Sequence, residues 1–329
     1  MKAVTNIGFG RSTRIVLDDY PQPRVNANGL LIEVYASSVN PVDWKYMAPL
    51  NQMIPKLGRR IRPFILGDDI AGVVVDKGSA VTGFEVGDSV YGMSVYPNTG
   101  ALAEYTLLDY RRAALKPNNV SYSEAAGLPL AGLTALQALQ TAKVSQDSKV
   151  LILGASGGVG TFATQIAKAL GAEVTGLCSS KNYELVRALG ADTVIDYNQP
   201  NYSIPSDYFD VVFDAVSYYS LSKCSAYLKN TGTYIASLGN AKSAFDLFRD
   251  KFLHVNQKAK FVIVNANTRD LNKLKAYVEA GKLKTVIDSE FSFDQVEQAY
   301  QRSKTGHARG KIIINVKSKE VCSKSSGCG

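Results

Sequence analysis

Residues 151–160 read LILGASGGVG. A short apolar run meets a glycine cluster, and the cluster opens a segment with helical periodicity. The run has the length and composition of a buried strand. The glycines alone leave two readings open: a phosphate cradle, or only a tight turn between strand and helix. The surrounding sequence must decide.

Downstream, Val159, Phe162, Ala163, Ile166, Ala167 and Leu170 recur at helical spacing and form one apolar stripe. EVTGLC (173–178), NYELVRALG (182–190) and TVIDY (193–197) then read as strand, helix, strand. DVVFDAV (210–216), GTYIASLG (232–239) and KFVIVN (260–265) add further strands. Alternation of helices with near-continuous apolar strands predicts an α/β fold, a doubly wound parallel sheet covered on both faces. Gly154, Gly157 and Gly160 thus stand as G-x-x-G-x-x-G inside a βαβ unit, with Gly158 besides. That context favours dinucleotide binding. A pyrophosphate needs backbone N–H groups at a helix N-terminus, here Gly157, Gly158 and Val159, and a side chain at either glycine would block its approach.

The kind of dinucleotide is read after the second strand. An NAD site carries an acid there for the ribose 2′-hydroxyl. This chain has Ser179, Ser180, Lys181 and Asn182 instead. Two hydroxyls and an ammonium suit a 2′-phosphate, and Tyr197 can add a phenolic bond or pack on the adenine, so NADP(H) is expected. The alternative is that the serines only cap the next helix and Lys181 is solvated.

Upstream, residues 1–120 are β-rich and punctuated by glycine and proline. LLIEVYASSV (30–39), IAGVVVDKG (70–78), VGDSVYG (86–92) and ALAEYTLL (101–108) read as strands. The opening MKAVTNIGFG alternates like an edge strand and lacks the apolar core of a signal peptide, so a cytoplasmic protein is expected. Residues 44–63 lack periodicity and read as a loop or short helix over a cleft. Ser121 and Glu124 have capping-box spacing before an Ala- and Leu-rich helix to residue 141, which Pro129 should kink. Residues 269–280 and 293–302 read as helices, KIIINV (311–316) as a last strand, and 317–329 as a disordered tail.

The chain has 329 residues, enough for two domains, and no apolar run near the roughly 20 residues that span a bilayer. Its net charge of +8 is spread along the sequence without a basic block. A solvated surface is expected rather than a nucleic-acid site, with peripheral membrane contact a minor alternative. Cys178, Cys224, Cys322 and Cys328 form no C-x-x-C pair, and the only histidines are His254 and His307, so no His-rich metal site is expected.

In combination, SVNPVDWK (38–45), ILGDDIAGVV (65–74), VGDSVYG (86–92), AAGLPLAGLTALQAL (125–139), LGASGGVGTFATQIAK (153–168) and GHARGKIII (306–314) resemble the medium-chain dehydrogenase/reductase superfamily, in its zinc-free quinone oxidoreductase and enone reductase branch. The resemblance runs from Met1 to about Val316. It implies a GroES-like β-rich catalytic domain (1–122 plus 267–316) with an inserted Rossmann domain (123–266). Zinc-dependent relatives carry Gly-His-Glu where this chain has Gly67-Asp68-Asp69, and a cysteine after the strand ending in Val39, so zinc chemistry is not expected.

What the resemblance implies instead is hydride transfer from NADPH to a quinone or to the C=C bond of an α,β-unsaturated carbonyl. Lys45 is then expected to hydrogen-bond the nicotinamide ribose and polarise the carbonyl, with Tyr46 as a second candidate. Thr134, Leu238, Val264, Asn265 and Ala266 would meet the nicotinamide end, and Gly310 and Lys311 the nicotinamide or phosphate. A symmetric homodimer through the edge strand KFVIVN is also implied. The alternatives are a 2-alkenal reductase, or a non-catalytic NADPH-binding protein that holds RNA or membrane on its basic surface.

Overall fold

The structure is a computed structural model that describes residues 1–7, 13–45, 64–94, 100–237 and 256–317. Its first part is strand-rich: β1 (Ala3–Ile7), β2 (Thr13–Leu17), β3 (Gly29–Val39), the single turn α1 (Val42–Lys45), β4 (Phe64–Ile65), β5 (Asp69–Lys77), β6 (Ser89–Met93), β7 (Tyr105–Asp109) and β8 (Ala113–Leu115). β1 is not an edge strand. It sits between β2 and β4, antiparallel to both. Alternation reports one buried face, and central and edge strands share that period.

Two helices follow, α2 (Tyr122–Ala126) and α3 (Pro129–Thr141). The capping box forms as expected: Glu124 N–H donates to Ser121 Oγ, and Ser121 N–H donates to Glu124 Oε2. The single kinked helix expected here is instead broken. Helix α2 stops at Gly127, and Pro129 starts α3 as its first residue, where a missing N–H costs nothing.

The second part alternates: β9 (Lys149–Leu153), α4 (Gly158–Ala169), β10 (Glu173–Cys178), α5 (Tyr183–Ala188), β11 (Thr193–Asp196), β12 (Phe209–Asp214), α6 (Leu221–Cys224), β13 (Leu228–Ala236) and β14 (Lys258–Phe261). These strands form one parallel sheet in the order β11-β10-β9-β12-β13-β14. Ile152 packs in the cluster with Phe162, Ile166 and Phe213, while Leu151 and Leu153 pack with Phe209 and Tyr234. The continuous run KVLIL thus has an apolar partner on each face of the sheet. β14 ends at Phe261, so the apolar residues after it are not the strand that the sequence predicted; Ile263 is 80% exposed beyond the sheet edge.

The chain then returns through α7 (Thr268–Glu279), β15 (Ile287–Ser292), α8 (Val296–Lys304) and β16 (Lys311–Asn315). β16 pairs antiparallel with β3, joining a seven-stranded sheet in the order β15-β16-β3-β5-β6-β8, with β7 also on β3. The order of the parallel sheet turns at β9, whose C-terminal end meets the glycine turn. A crevice opens at such a switch point, and β16 and α1 close it from the other sheet.

Candidate active site

The glycine turn is shaped by contacts that only glycine permits. Gly154 has φ +78°, a left-handed conformation that strains other residues. A Cβ on Gly160 would lie 2.1 Å from Gly154 O, so α4 approaches β9 closely because Gly160 is bare. Gly157 caps α4 with extended backbone and no side-chain capping bond. In front of Gly157 a Cβ would meet only Gly154 O, at 3.5 Å. The first amides of α4 lie at the positive end of the helix dipole, and a Cβ on Gly158 would stand 3.2 Å from Lys311 Cδ. The opposite wall comes from the returning chain: Gly310 bridges Gly157, and its N–H donates to Ser156 O at 3.0 Å.

A cleft of about 230 Å³ extends from this cradle. Asn40, Trp44, Thr134, Val159, Val216, Gly310 and Lys311 line it. The Thr134 hydroxyl donates to Leu130 O at 2.7 Å. Trp44 stands in the wall and donates its indole N–H to Ser303 Oγ at 3.0 Å. Lys45 is the last residue of α1, next to Trp44. Tyr46 and Leu238 lie outside the described residues.

Beneath the cleft lies a buried polar network. Asp69 is fully buried at the start of β5, and Lys311 is 3% exposed at the start of β16. The Lys311 ammonium donates to Asn40 Oδ1 at 2.5 Å and to Asp69 Oδ2 at 3.2 Å. Asn40 Nδ2 and the Ser38 hydroxyl also donate to Asp69 Oδ2. Leu130 N–H donates to Asp69 Oδ1 at 2.7 Å. Asp69 thereby caps α3, which has no side-chain cap of its own at Leu128. Lys311 was expected at the nicotinamide or phosphate; its stem does line the cleft, but its charge is directed into this network. Asn40 ties the end of β3 to Asp69 and Lys311. Nearby, Asp43 Oδ2 accepts from Asn40 N–H at 2.8 Å and from the Tyr300 hydroxyl at 3.3 Å. Burial pushes the Asp43 carboxyl up to about 7.

At the far end of the cradle, residues 180–182 form one 3₁₀ turn after β10. The Ser179 side chain makes no capping bond there, which removes the capping alternative for that residue. Ser180 and Lys181 are exposed, and Tyr197 is 44% exposed. Tyr197 N–H donates to Cys178 O at 3.1 Å, which sets Tyr197 beside this turn. Asn182 Nδ2 donates to Ser156 Oγ at 3.0 Å and so ties the turn to the glycine cradle. Its buried Oδ1 has no partner. Asp196 was missed. It ends the third strand opposite Cys178, and hydrogen bonds from Asn198 and Ser180 hold its carboxyl below the usual range. The signal for it in the sequence is its position directly before Tyr197.

Val264, Asn265 and Ala266 do not line the cleft among the described residues. Gln137 holds this segment: its Oε1 accepts from Asn265 N–H at 2.9 Å and its Nε2 donates to Asn265 O at 2.8 Å. Gln137 has no motif of its own and was not singled out. His307 is exposed and Cys178 is buried core.

Residues 26–118 match the family described as alcohol dehydrogenase GroES-like domain, and residues 189–314 match zinc-binding dehydrogenase. The chain is 35% identical over 331 residues to the 2-methylene-furan-3-one reductase of Solanum lycopersicum, covering 96% of this chain and 79% of that one. It is a medium-chain dehydrogenase/reductase. The NADPH-dependent alkenal/one oxidoreductase of Arabidopsis thaliana, a chloroplastic protein by name, is 35% identical over 302 residues, covering 89% of this chain and 73% of that one. The structure of the quinone oxidoreductase from Coxiella burnetii superposes with a TM-score of 0.84 at 31% identity, covering 96% of this chain and 99% of that one. Within this medium-chain dehydrogenase/reductase, the residues do not fit the zinc of the second family description. At Gly67-Asp68-Asp69 the cation paired with Asp69 is the Lys311 ammonium, and both Asp69 oxygens already accept protein donors. No described helix is long and apolar enough to cross a membrane.

Proposed function

We propose that this protein transfers hydride from NADPH to a quinone or to the β-carbon of an α,β-unsaturated carbonyl, without zinc. The observation that carries the reading is the uncapped glycine cradle at the start of α4, closed by Gly310 of the other sheet and continuous with the cleft. Bound NADPH supplies the hydride. The amides of Gly157, Gly158 and Val159 hold its pyrophosphate. Thr134 orients the nicotinamide, with the backbone groups of Leu238 and Val264–Ala266 as its further partners. Ser179, Ser180, Lys181, Asn182 and Tyr197 hold the 2′-phosphate and adenosine, with Asp196 fixing Ser180. Negative charge develops on the substrate carbonyl oxygen, and the Lys45 ammonium is the donor best suited to stabilise it. The names of the relatives, an alkenal/one oxidoreductase and a furanone reductase among them, support this substrate class. Spectrophotometric NADPH oxidation against quinones, enones and alkenals tests it; no turnover on any of them would defeat the reading.

The phosphate site gives its own prediction. Lys181→Ala and Tyr197→Phe should each weaken NADPH, the first by about tenfold or more, since a hydrogen bond to a charged group contributes roughly 1.5–3 kcal/mol. NADH binding should change little. Equal losses for both cofactors, measured by titration, would remove these residues from the phosphate site.

Among the described residues β14 is the last strand of its sheet, and this edge with the exposed Ile263 and Phe261 supports a symmetric homodimer across it. Light scattering should give a dimer, and Ile263→Glu should give a monomer. A wild-type monomer at micromolar concentration would contradict it. The cytoplasmic placement likewise stays a proposal beside relatives that are chloroplastic or mitochondrial by name.

A further inference from the structure

Helix α1 is a single turn of four residues, and it ends in Lys45. One turn cannot hold itself, because nucleating a helix fixes several residues for one hydrogen bond. Its position over the cleft must come from outside. Two bonds supply it, both from α8. Tyr300 and Ser303 stand three residues apart, hence on one face of that helix. Tyr300 is fully buried and Ser303 is 8% exposed. Ser303 Oγ accepts the indole N–H of Trp44, and the Tyr300 hydroxyl donates to Asp43 Oδ2. Asp43 also accepts from Asn40 N–H, so the strand end, the turn and α8 meet on one carboxylate.

We propose that Asp43, Trp44, Tyr300 and Ser303 are positioning residues that clamp the Lys45 turn to α8 and so set where the catalytic ammonium stands. This rests on the reading of Lys45 as the group that polarises the carbonyl. A buried carboxylate is a costly way to hold a loop, and an apolar contact would serve a purely structural turn. The groups that face Asp43 are Asp68 and Asp69 from β5 and the residue before it, Lys311 from β16 and Tyr300 from α8. Burial raises its carboxyl first, with Asp69 adding to the rise, against the Asn40 amide, Lys311 and Tyr300. The ionised form accepts both bonds, so the clamp tightens as pH rises through about 7. Because the folded-state value lies above the ordinary 3.8, ionisation lowers stability as pH rises from about 3.8 to about 7. Asp43→Asn should therefore not lower Tm above that pH.

The test is a double-mutant cycle on the full chain with one enone and NADPH. Ser303→Ala should lower kcat by about five- to tenfold, since small misplacement of a catalytic group is expensive, and leave NADPH affinity within about twofold. In a Lys45→Met background the same change should have no further effect. Tyr300→Phe should follow the same pattern, and Asp43→Asn should abolish the fall of kcat below about pH 7. Trp44 is the only tryptophan, so its emission reads the clamp directly; Ser303→Ala should raise its quenching by acrylamide. A large effect of Lys45→Met together with equal losses from Ser303→Ala in both backgrounds, or with no loss at all, would overturn the clamp and leave Lys45 standing. No effect of Lys45→Met would overturn the reading of Lys45 and the clamp with it.

Discussion

Asp69→Ala should destabilise the protein by about 3–5 kcal/mol, the range for removing one partner of a buried ion pair. The Lys311 ammonium, 3% exposed, would lose its ion-pair partner. Ser38 and Asn40 would lose an acceptor, and the first turn of α3 would lose its cap at Leu130 N–H. Asp69→Asn should also destabilise, because its amide oxygen still accepts from Leu130 while its NH2 faces the Lys311, Asn40 and Ser38 donors. Asp69→Leu combined with Lys311→Met should recover part of the loss, since neither charge of the pair then remains. Urea unfolding with an unchanged slope gives these differences. A shift below about 1 kcal/mol for Asp69→Ala, the scale of an ordinary hydrogen bond, would mean that the pair does not hold β5, β16 and the start of α3 together.

Lys45→Met should lower kcat for an enone on the order of 10²-fold, about 3 kcal/mol, the usual loss for one donor to a developing oxyanion. Methionine keeps the stem and deletes the charge. An ammonium stabilises the enolate more than the neutral carbonyl, so its loss raises the barrier and not only the dissociation constant. NADPH affinity should fall modestly, through the ribose contact. Quinones should suffer less, being stronger electrophiles. If enone turnover stays within about twofold, Lys45 is a bystander, and Tyr46 or a backbone amide becomes the better donor.

What was legible in the sequence is what short spacings encode. KVLIL, the glycine turn and the stripe from Val159 to Ile166 specify strand, turn and helix within about twenty residues, and the Ser121–Glu124 box is complete in four. The errors lie where a local signal has two outcomes. Pro129 fits a kink or a fresh start equally, and the choice was made by the Asp69 cap, 61 residues away. Apolar residues 261–263 fit a strand or an exposed edge segment. The site was legible where backbone makes it, at Gly157, Gly158 and Gly310. It was not legible where side chains choose partners across the chain. Lys311 reaches Asn40 over 271 residues, and Gln137 holds Asn265 over 128. Nothing in the composition of either segment announces such a pairing.

Hydride transfer itself can be followed by atom. NADPH carrying deuterium at C4 of the nicotinamide, first on one face and then on the other, is mixed with the protein and an α,β-unsaturated ketone. The product is then examined by NMR. One of the two labelled cofactors should place its deuterium on the β-carbon of a saturated ketone, at a rate undiminished by exhaustive chelation. Deuterium on the carbonyl carbon of an allylic alcohol, or no NADPH oxidation with any enone or quinone, would contradict a zinc-free reductase of conjugated carbonyls.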